Sequence, residues 1–183
     1  MKTVIFSTAA LTLVGILGIG LQDVWSDDDD GMKMRSRGVA PVTDPLYKEE
    51  CGSCHFAYPP GLLPAASWQR IMAGLDDHFG DNAELDTQAG LQITEYLTAY
   101  AADASGYRRS RAIMSSLRYS RTPPLRITET PYFRHEHREI PRRIINLPDV
   151  GSLSQCNACH RRAEKGAFSE NEIWIKGIGR WDD

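Results

Sequence analysis

Four cysteines occur in the chain, and all four fall in two copies of one pattern: Cys51-Gly52-Ser53-Cys54-His55 and Cys156-Asn157-Ala158-Cys159-His160. The spacing C-x-x-C-H attaches a c-type haem. Residues three apart share one face of a helical turn. Two sulfurs placed this way reach the two vinyl groups at one porphyrin edge and form thioethers. The next residue, His55 or His160, then has its ring beneath the iron as proximal ligand. Two CxxC pairs are also compatible with a four-thiolate zinc site, a thioredoxin-like redox pair or structural disulfides. None of these explains a histidine directly after each pair, and it is there twice. The expected cofactors are therefore two covalently bound haem c groups, with Cys51, Cys54, Cys156 and Cys159 as thioether anchors.

The N-terminus reads as an export signal. Lys2 precedes an uncharged apolar run from Val4 to Leu21, and Val24-Trp25-Ser26 offers a cleavage site. Residues 1–26 are expected to be a signal peptide, or a retained N-terminal anchor in the alternative. Covalent haem attachment of this kind follows export in bacteria, so the expected location is the periplasm. Residues 27–43, with Asp27 to Asp30, Gly31, Gly38 and Pro41, look like a flexible lead-in. The rest divides at Ser105-Gly106 into a first haem lobe, 44–105, and a second, 106–183.

The net charge of −3 conceals an asymmetry: residues 27–105 carry fourteen acidic and five basic side chains, and residues 106–183 carry nine acidic and fifteen basic. Opposite fields around two haems suit two different redox partners, because charge steers encounter. The basic cluster Tyr107-Arg108-Arg109-Ser110-Arg111 fits partner docking or pairing with haem propionates, and nucleic acid is not an expected partner.

Helical signals dominate the first lobe. Asp44 and Pro45 start a helix that carries the first motif. Ser67 is a candidate cap for a helix from Trp68 to Phe79, whose apolar stripe (Trp68, Ile71, Met72, Leu75, Phe79) includes His78. That position makes His78 a candidate distal ligand for the first iron, since haem iron in electron carriers takes His or Met opposite its proximal His. Asp86 caps a third helix with Ile93, Tyr96, Leu97, Tyr100 and Ala101 at helical spacing. A helix-like stretch runs to Leu117. Beyond it, Pro123, Pro124, Pro131, Pro141 and Pro148 exclude long helices, and Arg126 to Thr128 could be a short strand. His135 and His137 are both candidates for the second distal position, with Met114 as competitor. Ser152 or Ser154 could cap a helix carrying the second motif, and Ser169 a short helix through Ile175.

The order of these features resembles the bacterial dihaem cytochrome c (DHC) family: C-x-x-C-H, the helix ending His78-Phe79-Gly80, the Ile93-to-Tyr100 helix, Thr130-Pro131-Tyr132-Phe133, His137-Arg138-Glu139-Ile140 and a second C-x-x-C-H. The resemblance covers residues 44–181. It implies a mainly α fold, with an N-terminal lobe like class I cytochrome c and a largely irregular C-terminal haem lobe. It implies bis-histidine irons, His55 with His78 and His160 with His137, with His135 as the alternative to His137. It further implies electron transfer to or from another cytochrome, such as a high-spin monohaem cytochrome c or a membrane cytochrome b. A different class of function, a small dihaem peroxidase or oxygen- or nitrite-reducing enzyme, would need one iron left open. A His/Met dihaem carrier and a membrane-tethered respiratory subunit are further alternatives.

Overall fold

Asp44 opens the first helix as expected. In the computed structural model, which describes residues 38–181, its carboxylate accepts from Tyr47 N at 2.7 Å, and Pro45 takes the first position of α1, Pro45–Gly52. The expected export signal and the part of the lead-in up to residue 37 lie outside the described residues. Among the described residues no helix is long and apolar enough to cross a membrane.

The second helix, α2 (Ala65–Met72), differs from the expectation at both ends. It starts earlier, after Pro64, because proline and the two alanines that follow suit a first turn. Ser67 is therefore inside the helix and buried, not its cap. The helix stops at Met72, and Leu75–Asp77 forms a separate 3-10 turn. Sequence periodicity ran on past Met72 because Ile71, Met72, Leu75 and His78 all face the same cavity. His78 thus sits on a turn, where its N–H donates to Asp81 O at 2.7 Å, and not on a helix face.

Asp86 caps α3 (Thr87–Ala99) by accepting from Gln88 N and Ala89 N. Ile93 and Leu97 on this helix bury against Tyr47, Leu63 and Trp68. The Trp68 indole N–H donates to Pro60 O at 2.8 Å, which satisfies the one polar atom of the largest ring in this cluster. Then follow α4 (Arg108–Ser116), α5 (Pro131–Glu136) and α6 (Arg142–Ile145). Thr130 caps α5 through its hydroxyl, with Pro131 at the first position. The molecule is mainly helical, and its second half is built from short pieces. Three local expectations fail there. Residues 127–129 form a 3-10 turn rather than a strand. The second motif lies on the 3-10 turn Cys156–Ala158, without a serine cap, because Ser152 and Ser154 bond each other. Ser169 leads into a 3-10 turn, after which the β-branched and aromatic run pairs as β1 (Trp174–Ile175) with β2 (Gly179–Arg180).

The halves on either side of Ser105-Gly106 pack as one body. Val39, Phe56 and Leu62 share a core cluster with Ile113, Ala163 and Phe168. Val39 and Val42, in the expected flexible lead-in, are buried. Val39 N donates to Gly166 O at 3.0 Å, tying the start of the described chain to its end. Gly166 has φ +72, and a side chain there would collide with the Val39 carbonyl. A Gly166→Ala change combines left-handed strain with overpacking, and is expected to destabilise the protein by about 2 kcal/mol or more. Thermal unfolding followed by haem absorbance checks this.

Candidate haem sites

Each C-x-x-C-H motif opens onto its own cavity. The first is lined by Cys51, Cys54, His55 and His78, with Leu63, Trp68, Met72 and Leu97 as its apolar wall. The second is lined by Cys156, Cys159, His160 and His137, walled by Ile113, Ile144, Val150 and Ile175. α1 and the loop after it aim the first motif, and the 3-10 turn of Cys156–Ala158 aims the second.

The histidines come together in two pairs. The ring centres of His55 and His78 are 6.1 Å apart, with planes inclined by 20°. Those of His137 and His160 are 6.2 Å apart, inclined by 79°. A metal–imidazole bond is about 2.0 Å, and ring bonds of about 1.33 Å put each nitrogen about 1.1 Å from its ring centre. Two imidazoles on opposite sides of one metal therefore have centres about 6.3 Å apart. Both pairs match that span, and the apolar walls suit a porphyrin body. The residues present fit two haems. His135 is elsewhere: it is exposed, bonded by the Arg138 guanidinium at 2.7 Å, and lines neither cavity. Met114 lines neither cavity either.

The ring nitrogens are prepared for metal. His55 Nδ1 lies 2.8 Å from Phe56 O, and His137 Nδ1 lies 2.9 Å from Phe133 O. A carbonyl only accepts, so Nδ1 donates and Nε2 is left for iron. Burial, then the His137 and Arg109 charges, push His160 down to about 4, so its ring stays neutral. Burial, then His55 and Arg126, also lower His78. The thiols move the other way: burial pushes Cys51 up to about 11 and Cys156 up to about 12. Among the described residues no three His, Cys, Asp or Glu side chains converge into a metal-holding group, so the four sulfurs do not form a tetrathiolate site.

Comparison with known proteins matches residues 47–168 to the dihaem cytochrome c family. The chain belongs to that family. As a dihaem cytochrome c it carries two covalently bound haem c groups. Among solved structures, a dihaem c-type cytochrome from Shewanella baltica is 47% identical, with a TM-score of 0.62 over 75% of this chain and 97% of that one. The dihaem cytochrome c from Rhodobacter sphaeroides is 45% identical, with a TM-score of 0.62 over 71% of this chain and 100% of that one. The search of curated proteins returned no match.

Within this family frame, further residues adjoin the two sites; of these, only Arg109 belongs to a cluster read from the sequence as pairing with propionates or docking a partner. Phe79, directly after His78, has φ 61, and it is the one non-glycine residue at positive φ among those described. Its ring lies under the Arg126 guanidinium, 3.9 Å away, so an arginine from the second half braces a strained turn in the first. Arg109 lines the second cavity, donating to Tyr132 OH at 2.7 Å and Phe168 O at 2.9 Å, with Glu136 at 4.0 Å. Tyr58 stacks on His55 with ring centres 5.0 Å apart, and Phe133 stacks on His137 at 3.8 Å.

Proposed function

We propose that the protein is an electron carrier in which both irons are held by two histidines, His55 with His78 and His160 with His137. The observation that carries this reading is the pair of imidazole spans, each of the length that one hexacoordinate iron requires. When bound, each haem supplies a one-electron ferric–ferrous couple. The chain's residues fill both axial positions, exclude water with apolar walls and leave no coordination position for oxygen, peroxide or nitrite. Two nitrogen ligands also favour a lower potential than a His/Met pair.

The two sites are unlike. Arg109, Glu136 and Glu170 line the second cavity, and Arg126, Glu50 and Asp81 line the first. The formal charge of the two linings is therefore the same. The difference lies in the imidazole planes, inclined by 79° in one pair and 20° in the other. With an acidic first half and a basic second half, electrons enter from one cytochrome and leave to another. A high-spin monohaem cytochrome c and a membrane cytochrome b are the partners this reading favours, in the periplasm.

A second reading, an enzyme with one open iron, has one observation in its favour. His78 sits on a turn next to Phe79, the one non-glycine residue at positive φ among those described. Carbon monoxide added to the reduced protein separates the two: the carrier reading expects no change in the haem spectrum, and the enzyme reading expects a carbonyl adduct at one haem.

A further inference from the structure

The two haem cavities share a wall. Ile127, Phe133, Leu153, Gln155 and Cys156 line both. Cys156 is a thioether anchor of the second haem, so a covalent attachment atom of that haem sits in the wall that bounds the first. Two aromatic rings approach this wall from opposite sides. Phe133 lies in it, stacked on His137 with planes inclined by 10°. Tyr58 lines the first cavity, stacks on His55 at 30°, and donates its hydroxyl to Ser154 O at 3.0 Å. That carbonyl is 3.6 Å from Cys156 Sγ and also accepts from Cys156 N at 3.0 Å. Tyr58 and Ser154 are 96 residues apart, so the bond joins the two halves of the chain at the point where the haems adjoin. Burial, with Cys156 next, pushes the Tyr58 phenol above its ordinary range and keeps the hydroxyl a donor.

We infer that this shared wall is the route between the haems, with Tyr58 and Phe133 as the positioning residues that couple the two iron sites. The inference rests on the carrier reading above. Each histidine pair has one ring with an aromatic ring stacked on it; Tyr58 ends at Ser154, and Phe133 lines both cavities together with Cys156. The step is the transfer of one electron: one haem iron goes from ferrous to ferric as the other goes from ferric to ferrous. No bond forms or breaks and no proton moves. Electron transfer between two haems weakens with distance, and Ile127, Phe133, Leu153, Gln155 and Cys156 are the protein groups that line both cavities.

The test uses the full dihaem protein, photoreduced to the one-electron level, with the equilibration between haems followed by transient absorbance. Both midpoint potentials and both ground-state spectra are measured on the same samples. Tyr58→Leu and Phe133→Leu are expected to keep both haems bound and to slow equilibration severalfold beyond what their measured shifts in potential account for. Tyr58→Phe keeps the ring, loses the bond to Ser154 and is expected to slow it less. This conservative variant, which removes a single oxygen, keeps the test decisive if a leucine variant fails to fold. Unchanged rates in the variants, or slowing accounted for by shifted potentials, overturn the route. If the wild-type protein itself shows no equilibration, or an open iron, the carrier reading fails instead.

Discussion

Replacing His78 or His137 with alanine converts one haem of the two, about half of the total haem absorbance, from low-spin to high-spin, and leaves the other unchanged. The reason is the pairing of rings at 6.1 and 6.2 Å: each variant removes one axial nitrogen and leaves the proximal histidine, fixed by its neighbouring cysteines, in place. The vacated iron becomes open to water and to carbon monoxide, and its potential rises with loss of the second imidazole. His135→Ala is the control. Its ring is exposed and bound to Arg138, so both haems are expected to stay low-spin. The two histidine variants are not expected to be equivalent. His137 is held by its Phe133 hydrogen bond and stack, whereas His78 hangs on the strained turn that Arg126 braces. Visible spectra of the four proteins, with and without carbon monoxide, decide this. Low-spin spectra in His78→Ala or His137→Ala would reassign the corresponding ligand.

Removing one haem anchor has the second large effect. In a Cys156→Ser/Cys159→Ser chain, covalent haem is expected to fall to about half, and residues 140–181 to lose most of their hydrogen-exchange protection. Besides three 3-10 turns, that segment has a four-residue helix and a hairpin of two-residue strands. Its buried cluster of Ile144, Val150 and Ile175 adjoins the second cavity. Without the porphyrin body these side chains face water, at a cost of about 2.5 kcal/mol per 100 Å² of apolar surface. A segment whose hydrogen bonds lie mostly in short local turns has little to offset the loss. α1 to α3 pack on Tyr47, Trp68, Ile93 and Leu97 and are expected to keep their protection. Mass spectrometry of the intact chain counts the haems, and exchange mapped by peptide locates the loss. Retained protection across 140–181 would mean that the second lobe holds itself together without its haem.

What could be read from the sequence was set by how local the physical constraint is. Haem attachment fixes a five-residue spacing, so both motifs were evident. Asp44-Pro45 and Asp86 are local helix starts, and both cap as expected; Thr130, read only as part of the family resemblance, caps α5. His78 was found for a reason that proved incomplete. The apolar periodicity that singled it out belongs to one wall of a cavity, and the helix beneath it ends six residues earlier. The burial of Val39 was not legible, because its partner Gly166 is distant in sequence and no motif links them. The same holds for Tyr58, whose hydroxyl bonds Ser154 in the other half. Phe133 and Arg109 gain their places from contacts within the second half, with His137 and Phe168, that no local pattern shows. In the second half, short proline-bounded pieces carry too little periodicity to separate a 3-10 turn from a strand or a helix. There the packing against the haem cavity decides.

The central claim is that both irons are closed by two histidines, in two unlike geometries. Electron paramagnetic resonance of the oxidised protein tests it in one spectrum. Nearly parallel imidazole planes, as in the 20° pair of His55 and His78, split the iron orbitals and give a rhombic low-spin signal. Nearly perpendicular planes, as in the 79° pair of His137 and His160, leave those orbitals almost degenerate and give a strongly anisotropic low-spin signal. The account predicts both signals in equal amounts and no high-spin iron. A high-spin signal integrating to a full haem would show that one axial position is open and would contradict it.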